Sequence, residues 1–471
     1  MEDIAVQQKN LLDKLPTDWP YSLLGEIQEE IGQAKSKVVI LDDDPTGTQT
    51  SKNIPVLTEW SVATLARELK GEEPGFFVLT NSRSMAGGEA VNLALELGNN
   101  LLLASSQTDV KLSVISRSDS TLRGHYPDEV NALAKAMQKG ELPHLLIPFF
   151  LEGGRFTIDD VHYVLEKDRL VPAAQTGFAR DSAFGFSHSD LRLWVEEKTA
   201  GRVTADQVVS VSLTDIRMGG PEKVADIFHT VSSSGVCVVN AASYRDMEVV
   251  VKALFLASRR GREFLTRTAA SFVRTCLGLE VSRELLGREE LARSGGNGGL
   301  FIVGSYVEKT GRQLEKLLQT GSVQGLELDV AKLMERDTRK VEISRIIGQS
   351  NTLIGAGRDT VVYTSRDLIT GGSSEESLRI GNLVSASLID VVRNLVTQPR
   401  YLVAKGGITS SDVATKGLQV KRAMIIGQVQ PGVPVWRLGE ESAYPGMSYI
   451  VYPGNVGSDS ALVEISTMLA K

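Results

Sequence analysis

Leu112-Ser-Val-Ile-Ser116 runs directly into Arg117-Ser-Asp-Ser-Thr-Leu-Arg-Gly124. The first stretch is a short apolar run of strand character. The second carries arginines, an aspartate and hydroxyls. A buried strand that ends this way presents anion-binding and proton-handling groups at its C-terminal tip, the edge where open α/β sheets take their ligands. Arginine forks suit carboxylate and phosphate oxygens, and a neighbouring aspartate holds a sugar hydroxyl or removes its proton. The stretch predicts an α/β enzyme for a small, anionic, hydroxylated substrate.

The same pattern recurs on either side of it. Lys37-Val-Val-Ile-Leu41 leads into Asp42-Asp-Asp-Pro-Thr-Gly47, and Phe76-Phe-Val-Leu79 leads into Thr80-Asn-Ser-Arg-Ser84. His144-Leu-Leu-Ile147 leads into Pro148-Phe-Phe-Leu-Glu-Gly-Gly-Arg155. Stretches apolar at helical spacing lie between, from Glu89 to Ser105 and from Pro127 to Lys139. Alternating strands and helices predict a mostly parallel sheet with both faces covered.

A second α/β set follows the glycine-rich run Ser294-Gly-Gly-Asn-Gly-Gly299. Its strands are expected at Leu300–Val303, Thr360–Tyr363, Tyr401–Ala404, Ala423–Ile426 and Ser448–Val451. A long helix is expected from Glu375 to Val396, opened by a capping box at Ser373 and Glu376. The fold class is therefore α/β, two α/β domains with mostly parallel sheets and an active site expected in a cleft between them. The expected boundaries are 1–36 for a helical N-terminal extension, 37–294 for the first domain and 295–471 for the second.

Composition narrows the function classes. A chain of 471 residues exceeds one core. Its 51 basic and 58 acidic residues give a formal charge of -7 with no long block of either sign, which argues against a nucleic-acid partner. Cys237 and Cys276 are too few for a disulfide framework or a cysteine-rich metal site. The N-terminus lacks a charged-then-apolar signal and no apolar run reaches membrane-spanning length, so a cytoplasmic location without membrane partners is the expectation. A homo-oligomer is compatible with the chain, although no interface is readable.

In the first domain, Asp43 and Asp44, Asn81 and Arg83, and Arg117, Asp119, Ser120 and Arg123 all follow predicted strands. Each alone reads equally as a solvated loop residue. Jointly they form one crevice, because parallel strands bring their C-terminal ends side by side. In the second domain, Lys405-Gly-Gly-Ile-Thr409 passes from strand to turn, with a helix expected near Ser410, Thr409 as its cap and Asp412 in its first turn. Gly406 and Gly407 let backbone N–H groups approach an anion. The Pro453-Gly-Asn-Val-Gly457 loop and Val303-Gly-Ser305 are expected on the same edge. Neither a Walker A nor a Rossmann glycine pattern occurs. Among the histidines, only His125 adjoins the site segment. Asp159-Asp160 reads as a helix start before it reads as a metal-holding pair.

Two other readings compete. Val38-Val-Ile-Leu-Asp-Asp-Asp-Pro-Thr46 fits the nucleophile loop of haloacid-dehalogenase-type phosphatases, with Asp42 attacking phosphate and Asp44 as acid/base. That assignment leaves the second domain without a task. A nucleotide- or metabolite-binding protein without turnover is the non-enzymatic alternative.

The chain resembles the four-carbon acid sugar kinases, the family of threonate, erythronate and 3-oxotetronate kinases. The resemblance runs from Val38 to the C-terminus and rests on Asp43-Asp-Pro-Thr-Gly47, Asn81-Ser-Arg-Ser84, Asp119-Ser-Thr-Leu-Arg-Gly124, Glu152-Gly-Gly-Arg155, Val303-Gly-Ser305 and Gly406-Gly-Ile-Thr409. It implies an acid-sugar site using Asp43 or Asp44, Arg83, Arg117, Asp119, Ser120 and Arg123. It also implies an ATP site using Ser305, Gly406, Gly407, Ile408, Thr409, Gly454, Asn455 and Gly457. Many members carry phenylalanine at Pro45, and lysine at Arg117 and Tyr452. The expected reaction is ATP-dependent phosphorylation of a terminal hydroxyl, with Asp44 or Asp119 handling that hydroxyl and Arg123 on the transferring group. Magnesium is expected with ATP, its ligands being unreadable.

Overall fold

The computed structural model describes residues 5–34, 36–140, 142–280, 284–292, 295–304, 308–366, 374–454 and 456–470. The chain divides into two compact units. One is Met1–Thr50 with Glu59–Ser282; the other is Ser51–Thr58 with Arg283–Lys471. The short segment Ser51–Thr58 thus leaves the unit that its flanks belong to, which a single contiguous boundary does not express.

The first unit is built on parallel strands in the order Val209–Val211, Val236–Val239, His144–Ile147, Leu265–Thr268, Lys111–Arg117, Ser36–Asp42 and Gly75–Leu79. The strands at Gly75–Leu79, His144–Ile147 and Val236–Val239 are buried along their whole length. Their near-continuous apolar character is what a parallel sheet covered on both faces requires. Helices Gly87–Thr108 and Asp128–Ala136 occupy the two stretches of helical spacing.

A second, antiparallel sheet in this unit orders Val6–Gln7, Arg169–Pro172, Val161–Glu166 and Arg155–Ile158. Asp159 and Asp160, with φ of 51° and 64°, turn the chain between two of its strands. Paired positive φ suits a tight hairpin and is tolerated by aspartate. This corrects the reading of Asp159-Asp160 as a helix start. The N-terminal extension is likewise more than helical. Besides helices Gln8–Leu12 and Leu24–Gln33 it contributes the strand Val6–Gln7. Helix Leu24–Gln33 is held on helix Tyr244–Arg259 by buried Ile27 and by Glu30 against Lys252 at 2.6 Å.

The second unit orders its strands Ile54–Leu57, Arg422–Gln430, Val433–Leu438, Ser448–Tyr452, Leu402–Lys405, Leu300–Val303, Thr360–Thr364 and Gln324–Leu328. From Ser448–Tyr452 onward the pairs are parallel, and the first four strands are joined antiparallel. The expected strand at Ala423–Ile426 is therefore part of a longer hairpin arm. The long helix spans Ser374–Arg393, and Ser373 of the expected capping box lies outside the described residues.

Candidate active site

Sheet register brings the charged residues of the first unit together. Asp42 is the last residue of its strand and the direct partner of Arg117, which in turn pairs with Thr268. Asp42 is 1% exposed. Arg117 Nη1 lies 3.3 Å from Asp42 Oδ1 and 3.9 Å from Asp43 Oδ1. The other Asp42 oxygen finds no hydrogen-bond partner among the described residues. Burial pushes the Asp42 carboxyl up to about 7 despite Arg117, with Asp43 and Asp44 adding to the rise. A Cβ at Gly47 would run into the Asp42 carboxylate, so glycine is required where the Pro45–Thr50 turn crosses it. A carboxyl this enclosed is not presented as a nucleophile, which removes the phosphatase role considered for Asp42.

The open face belongs to the loops beyond. Arg83, carried on the short turn Ser82–Ser84 after Asn81 (φ 54°), donates through Nε to Asp43 Oδ2 at 3.1 Å and through Nη2 to the other Asp43 oxygen. Its Nη1 lies 3.6 Å from Asp44 Oδ2 and 3.7 Å from Asp119 Oδ1. Arg123 Nε donates to Asp119 Oδ2 at 2.8 Å, and its Nη1 to Asp181 Oδ2 at 3.4 Å. Leu122 takes φ 72° and Gly124 φ 121°, which bends the loop back so that Arg123 meets Asp119. Burial opposes ionisation of Asp119, yet Arg83, Arg123 and a hydrogen bond from Thr121 hold its carboxyl well below the usual range. Asp44 accepts from the Thr46 amide at 2.8 Å and from the Thr46 hydroxyl, leaving Oδ2 towards Arg83.

Several supports lie behind this network, and of these His162 and Arg267 were not singled out from sequence. His162 Nε2 lies 2.7 Å from the Ser120 carbonyl, and burial holds its imidazole down to about 4, so it is neutral. Arg267, 2% exposed, donates to the Arg123 carbonyl at 2.8 Å and lies 5.2 Å above the Trp194 ring. Arg155 stacks beside Arg123 on Phe178. His125 Nε2 lies 3.1 Å from the Ser82 carbonyl, which places it behind the turn that carries Arg83.

In the second unit the expected glycine loops meet on one edge, because Val303 and Tyr452 both pair with Lys405. A Cβ at Gly304 would come within 2.7 Å of the Thr409 hydroxyl. Gly406, at φ 115°, is the residue before helix Gly407–Asp412. Helix entry therefore falls earlier than Ser410, with Thr409 inside the first turn and Asp412 at the far end. The Ser410 amide bonds back to the Gly406 carbonyl at 2.8 Å, which fixes this register. Ile408 is 60% exposed. Gly457, at φ 82°, packs against the Tyr452 hydroxyl. Ser305 and Asn455 lie outside the described residues.

Lys405 escaped the sequence reading. It is fully buried, its Nζ 2.8 Å from the Pro453 carbonyl, 3.3 Å from that of Gly454 and 3.9 Å from the Tyr452 ring centroid. The only signal was a lysine ending an apolar strand before a glycine pair. Among the described residues no group of three or more His, Cys, Asp or Glu side chains is placed to hold a metal ion. Asp42, Asp43, Asp44 and Asp119 are each turned to an arginine. No helix among the described residues is long and apolar enough to cross a membrane.

A sugar-binding N-terminal domain family matches residues 38–276, and a nucleotide-binding C-terminal domain family matches 300–462. The D-threonate kinase of Salmonella typhimurium is 26% identical over 452 residues, covering 91% of this chain and 97% of that protein. The chain belongs to the four-carbon acid sugar kinase family. Its fold is also that of solved structures. A Salmonella typhimurium LT2 protein superposes at TM-score 0.65 and 16% identity, over 91% of this chain and 98% of that one. A Haemophilus influenzae protein of the DUF1537 family superposes at 0.61 and 15%, over 92% and 100%. For a member of this family, the arginine-rich edge falls within the sugar-binding match and the glycine loops within the nucleotide-binding match.

Proposed function

We propose that this family member is an ATP-dependent kinase that phosphorylates a terminal hydroxyl of a four-carbon acid sugar such as threonate, erythronate or 3-oxotetronate. The observation that carries the reading is the Arg83–Asp43–Asp119–Arg123 network, set at the C-terminal ends of parallel strands. Arg83 and Arg123 remain partly exposed, at 16% and 23% of their side chains, so both offer N–H groups to a carboxylate or a transferring phosphoryl. Arg117 braces the set from below through Asp42 and Asp43. Ser120, on the same loop, is suited to a sugar hydroxyl.

Asp119 stays ionised between two arginines, which makes it a weak base and a good acceptor for orienting the attacking hydroxyl. Asp44 is the better proton acceptor, since one of its oxygens is open apart from a long approach by Arg83. Phosphoryl transfer relies mainly on positioning and charge neutralisation, which these residues supply. Gly406, Gly407 and Thr409, with the Gly454–Gly457 loop, suit a nucleotide's phosphates, and exposed Ile408 offers an apolar contact for its base. Ser305 and Asn455 complete the proposed nucleotide set. Magnesium would neutralise the phosphates when bound with ATP.

The test is ADP release against a panel of threonates, erythronates and 3-oxo relatives with magnesium present. Release that depends on one acid supports the reading and names the substrate. ATP binding without transfer to any acid favours a binding protein without turnover.

A further inference from the structure

Among the described residues, the Lys405 ammonium is buried among backbone dipoles rather than beside a counter-charge. The charged group that acts on it there is Lys309, of the same sign, from helix Glu308–Gln319. Tyr452 faces it with its ring, and the nearest acid influence on Tyr452 is Glu464. Keeping a cation in such a place is costly unless an anion arrives to offset it.

What the ammonium holds is equally specific. It donates to the carbonyls of Pro453 and Gly454, Thr310 donates to Gly454 at 3.3 Å, and Gln313 donates to Val456 and Ser458 at 3.1 and 2.7 Å. Lys405, Thr310 and Gln313 are all fully buried, so the loop's carbonyls are drawn inward from several points. In a planar trans peptide the N–H points opposite to the C=O. The Pro453–Gly454 and Val456–Gly457 peptides, with their carbonyls drawn inward, therefore turn the Gly454 and Gly457 N–H groups outward, as a cradle for an anion.

We propose that Lys405 is the positioning cation of the nucleotide site: it clamps the Pro453–Gly457 loop by its carbonyls, aims the loop's amides outward, and lends its charge to the phosphates they receive. The proposal rests on the nucleotide reading above and deepens it. Burial, with Lys309 adding to it, pushes the Lys405 ammonium down to about 7. At pH 8 the free lysine is then mostly neutral, and an arriving polyphosphate restores its proton.

The experiment is titration calorimetry of the full-length protein with magnesium ADP at pH 8, in two buffers of different ionisation enthalpy. Wild type is expected to take up about one proton per nucleotide. Lys405→Met and Lys405→Gln are both expected to abolish that uptake and weaken binding by about 10- to 100-fold. Lys405→Gln keeps a donor for the loop carbonyls, so it separates charge from clamping and covers a misfolded methionine variant. Wild-type binding without proton uptake, or both variants as tight as wild type, overturns the role of Lys405 and leaves the nucleotide reading standing. Failure of the wild type to bind magnesium ADP overturns both.

Discussion

The two units carry their charge differently. In the first, three arginines of the site come with carboxylates already in place: Arg117 with Asp42, Arg83 with Asp43, Arg123 with Asp119 and Asp181. In the second, Lys405 meets, among the described residues, backbone carbonyls and a tyrosine ring. Opposed pairs fix the direction of each guanidinium before a ligand arrives, which suits recognition of a small acid with a defined shape. An uncompensated cation behind a glycine loop is less directional and responds to total charge, which suits a polyphosphate chain.

If the first unit works through opposed pairs, breaking the pair at the open face should cost most. Asp119→Ala and Arg123→Ala are each expected to lower kcat by about 10²- to 10⁴-fold with the fold intact, measured as ADP release alongside circular dichroism. Unchanged turnover in both would remove the site assignment.

Breaking the buried pair should instead appear in stability. At pH 9, above the value near 7 to which burial pushes its carboxyl, Arg117→Met leaves Asp42 uncompensated beside Asp43, and chemical denaturation is expected to show a loss of about 3–5 kcal/mol. A loss well under that would mean Asp42 simply takes up a proton and Arg117 is not a brace.

Direction, as distinct from charge, is probed by Arg83→Lys. The substitution keeps the positive charge and gives up the two-pronged contact with Asp43. The KM for the acid substrate is expected to rise by about 10-fold, with a smaller change in the KM for ATP. Equal rises in both would show that Arg83 does not discriminate between the two ligands.

The smallest effect concerns Glu129, which accepts a hydrogen bond from Ser82 at 2.7 Å beside the turn that carries Arg83. Burial pushes its carboxyl up to about 7, and Asp43 adds to that. A folded value above the unfolded one means that the native state holds the extra proton, so this group's contribution to stability falls as pH rises from about 4 to 7. Glu129→Gln should melt close to wild type at pH 4 and higher than wild type at pH 8. Identical melting profiles would show that Glu129 is ionised without penalty.

How legible this was differs by residue. Short apolar runs ending in polar residues are visible along the chain, and the strands at His144–Ile147 and Leu300–Val303 fall where the runs do. Asp119-Ser-Thr-Leu-Arg-Gly124 stood out because it sets charged residues directly after an apolar strand, and the structure brings its Asp119 and Arg123 together with Arg83. The Val236–Val239 strand and the Arg155–Pro172 sheet were not singled out, since brief β-rich runs without a following polar cluster look like many buried segments. Helix entry at Gly407 was missed because capping propensity favoured Thr409, whereas loop packing against Gly304 decided the start.

The chain's own chemistry determined the α/β alternation, the placing of arginines and aspartates at strand ends, and the glycine loops. These follow from local patterning, in which each strand must be apolar and each turn must be polar or glycine. Tertiary structure alone decided that Asp42 lies beside Arg117 and that Lys405 lies beside Tyr452. It also took Ile54–Leu57 into the second unit, against Arg422–Gln430. Those are facts of strand register between segments far apart in the chain, and register is set by how whole sheets pack rather than by any one segment's sequence.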